Sequence, residues 1–404
     1  LNRLPKFAAA LGIVCATALP LRADSEVYLL GVPDYRWYAG CFGTACGNLM
    51  GYWDRHGLAN FYTGPTAGGV APLDDLGANS GIRSLWASKA SVDGRPSNQP
   101  GHIDDYWLFY PNDGNYSYES TAPDPYVTAG RPEHAPDCIG DFIGLSQKKW
   151  VNMAGECDGN IDAYSFVFWD LKGKRRTNYV PDTNAGPAMD IQSGLRAWAK
   201  WRGYDADVFT QLAETSVNPN NPGTNGFTFE DIKAEINAGY PLMVFLQPVN
   251  QTSRSLPGMT RANPAIHGVL IYGYQEYPEF GAQLVYLQSS WGNSSIYPFQ
   301  GWTSTPWLST GLSVRGVIGF RPKPRIRSIS RNGNSIALAW DGPSSQVFDN
   351  LAQTTTPAHR YQVQRSTTLS PPDWTDIGAP TTVLTSTFTE PGGTSAFYRI
   401  KLLD

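Results

Sequence analysis

Two residues of this chain have the types and settings to do nucleophilic chemistry together. Cys41 stands in Gly40-Cys41-Phe42-Gly43-Thr44-Ala45, a stretch that runs into Tyr52-Trp53-Asp54 and reads as a helix. A thiol at a helix start lies in the positive end of the peptide dipoles, which favours its thiolate. Far downstream, His267 leads the apolar run Gly268-Val269-Leu270-Ile271-Tyr272-Gly273-Tyr274, which reads as a strand. An imidazole delivered there can take the thiol proton and hand it on to a leaving group. Taken singly, each has a plainer explanation, a buried structural cysteine and a core histidine at a strand start. The small neighbours Gly40, Gly43 and Ala45 let a substrate backbone come close, and the pairing of thiol with imidazole favours chemistry.

Such a pair needs a group that orients the imidazole and donors for the oxyanion. The strand after the histidine strand ends in Tyr286-Leu287-Gln288-Ser289-Ser290-Trp291-Gly292, where a carboxylate or amide is expected. Ser289 occupies that place, with Gln288 and Asn293 as neighbours. A serine can accept the imidazole N–H but brings no charge to steady an imidazolium. One oxyanion donor is the backbone N–H of Cys41. Residues 33–40 contain no Gln or Asn, so Arg36 or Tyr38 would substitute as the side-chain donor.

The elements that must hold these groups follow from the apolar pattern. An extended segment over Val27 to Pro33 precedes a helix from about Cys41 to His56, with Ala45, Leu49, Met50 and Trp53 on its apolar face and Gly57 as its stop. Residues 58–185 are rich in Gly, Asp, Asn and Pro and read as an insertion forming one wall of a cleft. Within it, helices are expected near Ile82–Trp86 and from Ile139 to Trp150, and a strand over Ala163 to Trp169. A helix over Ala188–Arg202 follows, then strands at Asp205–Leu212, Pro241–Leu246, His267–Tyr274, Gln283–Gln288 and Val314–Phe320, with a Thr228-capped helix to Asn237 among them. An early helix followed by successive strands describes an α+β fold. At Pro322-Lys323-Pro324 the composition shifts to short strands with turn signals, which suits a small β-sandwich of the fibronectin or immunoglobulin sort over 322–404.

Several of these segments together resemble a known family. Val32-Pro33, Gly40-Cys41, Thr44-Ala45 and Tyr52-Trp53-Asp54 look like the nucleophile segment of the bacteriocin-leader-processing cysteine peptidases of bacteria. Phe229-Glu230-Asp231-Ile232, Glu235-Ile236 and Gly239-Tyr240-Pro241 resemble the helix and strand before that family's histidine. His267-Gly268-Val269 with Gly273-Tyr274 resembles its histidine strand, and Trp291-Gly292 the segment after its acidic residue. The resemblance covers about residues 25–320 and implies a papain-like cysteine peptidase fold, an N-terminal helix packed on an antiparallel sheet. It implies Cys41 as nucleophile, His267 as base and a peptide or protein as substrate. The family's Asp falls on Ser289, and its upstream Gln has no counterpart here. Those departures keep in view a peptidase-like binding protein that holds a peptide without cutting it, and the same thiol would also serve an acyltransferase. The C-terminal segment, with Tyr361-Gln362-Val363, Trp374 and Phe397-Tyr398-Arg399-Ile400, resembles β-sandwich modules appended to exported bacterial enzymes, with carbohydrate or the cell surface as possible contacts.

Composition bounds these expectations. With 404 residues the chain exceeds the usual single-domain size, so a second domain is expected. Aromatic residues at 13% against 16% charged residues mark a core-rich chain, and a net charge of −4 without a basic run argues against nucleic acid. Arg3 and Lys6, the apolar run Phe7–Leu19 and Leu21-Arg22-Ala23 read as a signal peptide over 1–23, so a secreted, periplasmic or cell-surface location is expected. The apolar run is short for a bilayer span, and no later segment reaches that length. In an oxidising compartment Cys138 and Cys157 are the disulfide candidates. Cys41 and Cys46 cannot bridge along one helix, where five residues rise by about 7.5 Å. Cys46 is therefore expected to be free and buried. Two clusters, His102 with Asp104 and Asp105, and His134 with Asp137, Cys138 and Asp141, lack a defined ligand spacing, so no metal and no cofactor are expected.

Overall fold

The computed structural model describes residues 23–35, 41–62, 70–73, 139–143, 169–170, 172–179, 191–214, 226–248, 267–289, 297–300, 312–390 and 395–403, with Cys41 and His267 described through their backbones. The expected signal peptide (up to residue 22), the helix near 82–86, most of the 163–169 strand, the Cys138–Cys157 pair and both metal-like clusters but for the backbone of Asp141 lie outside these residues. In chain order the elements are β1 (Ser25–Leu29), α1 (Cys41–Arg55), α2 (Ile139–Phe142), β2 (Arg176–Thr177), α3 (Ile191–Trp201), β3 (Ala206–Leu212), α4 (Phe229–Asn237), β4 (Leu242–Pro248), β5 (His267–Tyr277), β6 (Ala282–Gln288), β7 (Tyr297–Gln300) and β8 (Leu312–Pro322). The C-terminal part adds β9 (Arg325–Asn332), β10 (Ser335–Asp341), β11 (Gln346–Asp349), β12 (Thr354–Pro357), β13 (Arg360–Ser366), β14 (Thr375–Thr381), β15 (Thr385–Thr389) and β16 (Phe397–Leu403).

The class is α+β, a few helices against a mainly antiparallel sheet. Ten strands form one sheet in the order β12-β11-β1-β5-β4-β8-β3-β2, with β6 on β5 and β7 on β6. Strand β5 is its hub. Strands β4 (Leu246↔His267 to Leu242↔Ile271) and β1 (Tyr28↔Gly273 to Ser25↔Glu276) lie end to end along one edge, and β6 takes the other (Leu270↔Gln288 to Tyr277↔Ala282).

Helix α1 packs on β5 and β4. Every residue from Phe42 to Asp54 is buried, so the helix has no solvent face, where an amphipathic one was expected. Its small residues explain how neighbours approach on all sides, since Gly43, Ala45, Cys46, Gly47 and Gly51 add little bulk. Gly57 ends the region with φ +97°, a conformation that a Cβ disfavours. Thr228 caps α4 through its side chain, which accepts from Asp231 N while Asp231 reaches back to the Thr228 N–H.

Two three-stranded sheets, β15-β10-β9 and β14-β13-β16, share a small core of Ile336, Leu338, Trp340, Tyr361 and Val363. The hairpin β11–β12 falls within the span expected for a separate C-terminal module. It instead extends the large sheet, with Val27↔Asp349 and Leu29↔Val347 pairing β11 to β1.

Candidate active site

Cys41 is the first residue of α1, and His267 is the first of β5. The two elements meet at those ends. A Cβ placed on Gly268 would lie 2.5 Å from Phe42 Cδ1 and 3.0 Å from Phe42 Cα, so nothing larger than hydrogen fits there. Gly268 pairs with Phe245 on β4, and the Phe245 ring stacks on that of Phe42 at 4.8 Å. The neighbour of Cys41 therefore rests directly on the neighbour of His267.

Strand β6 carries the other two expected residues. Gln288 pairs with Leu270, three residues along β5 from His267, and Ser289 follows it at the strand end. Both are buried, Gln288 at 7% and Ser289 at 2% exposure. Neither is charged.

The segment entering α1 is pinned by a residue that the sequence does not single out. Buried Asn48 accepts from Tyr35 N through Oδ1 at 2.9 Å, two turns below Cys41. The Tyr35 hydroxyl donates to Pro72 O at 2.7 Å, and its ring stacks on Tyr62 at 5.6 Å. Arg36 and Tyr38, the proposed oxyanion donors, lie outside the described residues.

Two details correct or complete the sequence reading. Asp54-Arg55-His56 reads as a solvated helix end, yet Asp54 is 7% and His56 9% exposed. Asp54 accepts from Tyr62 N at 2.7 Å and Ala71 N at 2.9 Å and so ties both residues to the end of α1. Burial raises its pKa, and those amides offset the rise only in part. Asp54→Ala leaves two buried amides unpaired and is expected to cost about 2–4 kcal/mol in urea unfolding. Cys46 is free and fully buried, with Sγ 3.6 Å from Met243 Sδ. Burial pushes its thiol far above the ordinary range, so it is not a nucleophile at neutral pH.

Among the described residues no group of His, Cys, Asp or Glu is placed to hold a metal ion. Among them also, no helix is long and apolar enough to cross a membrane. Comparison of the chain with protein-family models, curated proteins and solved structures gives no significant match.

Proposed function

We propose that this chain is an exported cysteine peptidase on a papain-like scaffold, hydrolysing peptide bonds through Cys41 and His267. The observation that carries the reading is the seating of Phe42 on Gly268, which puts the start of α1 beside the start of β5. A thiol at a helix start beside an imidazole at a strand start is the arrangement such catalysis needs. In the reaction His267 takes the Cys41 proton, and the sulfur adds to the peptide carbonyl. The Cys41 N–H stabilises the oxyanion. The imidazolium then protonates the departing amine, leaving a thioester on Cys41. His267 next takes a proton from water, whose oxygen displaces the sulfur and releases the acid. Ser289 or Gln288 steadies the ring through these steps.

The test is the pH dependence of alkylation, mapped by peptide mass. Cys41 should react with iodoacetamide as a thiolate well below pH 8.5, while Cys46 stays unlabelled. His267→Ala should return the Cys41 profile to that of an ordinary thiol. An ordinary profile in the native chain, unchanged by His267→Ala, rules the pair out.

A second reading rests on the two uncharged residues beside the histidine strand. Without a carboxylate at 289 the cleft would hold a peptide uncut. An acyl adduct on Cys41 after exposure to an activated ester, detected by mass, excludes it. Amine incorporation in competition with water would instead identify an acyltransferase.

A further inference from the structure

Two of the five histidines, His56 and His359, are buried at one junction outside the site just described. There the segment Gly342–Ser345 crosses the end of α1. Gly342 N donates to Gly57 O at 3.0 Å and Ser344 N to His56 O at 3.0 Å. Ser345 Oγ donates to Gly239 O at 2.8 Å, and Ala358 N to Ser345 O at 3.0 Å. The hairpin β11–β12 lies between these two anchor points, paired to β1.

The imidazoles sit inside this seam. His56 packs its ring 4.3 Å from Tyr52, and His359 lies 5.1 Å from Tyr240 and 6.5 Å from Trp53. The Nε2 atom of each is buried without a hydrogen-bond partner. Arg55, on the same helix, and His359, across the seam, face His56, and the backbone of Ser344, Leu30 and Gly31 favours its charged form through hydrogen bonds, an effect that burial outweighs. Besides the rings of Tyr240 and Trp53, His359 faces His56 as its titratable neighbour. Among the described residues no carboxylate acts on the His359 ring. A proton placed on one imidazole would therefore sit in a dry seam beside the other imidazole, with Arg55 adding its charge at His56.

We propose that His56 and His359 form an acid-operated latch, which holds the segment Gly342–His359 against the end of α1 when both are neutral and releases it when they are protonated. The latch goes beyond the peptidase reading and does not depend on it.

The sign follows from burial. In the closed seam burial pushes the His359 pKa from 6.5 down to about 4, and burial also lowers that of His56. The open state binds more protons, so opening is unfavoured above pH 6.5 and grows as pH falls towards 4. For His359 alone the opening constant should rise about 100-fold between pH 7 and 4, approaching tenfold per unit in the middle of that range.

Hydrogen exchange of the full chain tests this. After correction for intrinsic rates, the amides of Gly342, Ser344 and Ala358 should lose about 100-fold in protection between pH 7 and 4, while β4 and β5 stay protected. His359→Phe keeps a buried ring that takes no proton and should reduce this response to the part that His56 supplies. Should that variant fail to fold, the native profile decides by itself. Loss of protection at these amides only in step with β4 and β5, or none at all, overturns the latch, as does an unaltered response in a folded His359→Phe.

Discussion

Cys41→Ala is expected to cut peptide cleavage by about 10⁴–10⁶-fold with the fold unchanged. In the proposed reaction the sulfur supplies the bond-forming electron pair, and no other thiol among the described residues can replace it, because Cys46 is buried against Met243. Alanine is a better helix former than cysteine, so the start of α1 should not weaken. Cleavage of a peptide library and far-UV circular dichroism, measured on the same sample, separate chemistry from folding. Cys46→Ala gives the contrast. It should keep cleavage and lose about 1 kcal/mol of stability, the cost of a small cavity in the core. Cleavage by Cys41→Ala within tenfold of the native chain would remove this thiol from the reaction.

The parts of the fold that carry local signals were legible. The helix expected over Cys41–His56 is α1 (Cys41–Arg55), and the strand expected from His267 is β5. Thr228 alone gave the α4 cap, because an N-cap reaches only a few residues ahead and nothing distant; the structure adds Asp231 as its partner. Strand β14 was not legible. It contains Gly378-Ala379-Pro380, a turn signal, and is tolerated because it pairs with β13 alone, at the edge of its sheet. Strands β11 and β12 are four residues each and gain their place from β1, at the other end of the chain. No local pattern encodes a partner that far away.

The same distinction runs through the site. Cys41 and His267 stood out because residue type and flanking pattern agree at each position. Asp54 and His56 did not, because Asp-Arg-His reads as solvated wherever it occurs. What holds them is non-local: the backbone of Tyr62 and Ala71 binds Asp54, and the Gly342–Ser345 segment crosses His56. Asn48 was hidden for a related reason. Its partner is a backbone N–H, which every residue but proline offers, so no sequence signal marks the pair.

Gly268→Val is expected to lower kcat by about 100-fold and to cost about 1–3 kcal/mol of stability. Its Cβ would meet Phe42 Cδ1 at 2.5 Å and Phe42 Cα at 3.0 Å. The ring cannot simply swing away, since it is stacked on Phe245, and Phe245 is packed edge-on by Trp169 at 5.6 Å. The first turn of α1 must therefore lift from β5. A displacement of about 1 Å between nucleophile and base is enough for a loss of this size, because proton transfer depends steeply on their approach. Adding Phe42→Ala should restore much of the stability by making room for the valine, yet it leaves the helix start loosely seated and should not restore kcat. That split separates a positioning effect from a folding effect. If Gly268→Val cleaves as the native chain does, then contact between the start of α1 and the start of β5 is not what brings thiol and imidazole together, and the geometry offered for Cys41 and His267 fails with it.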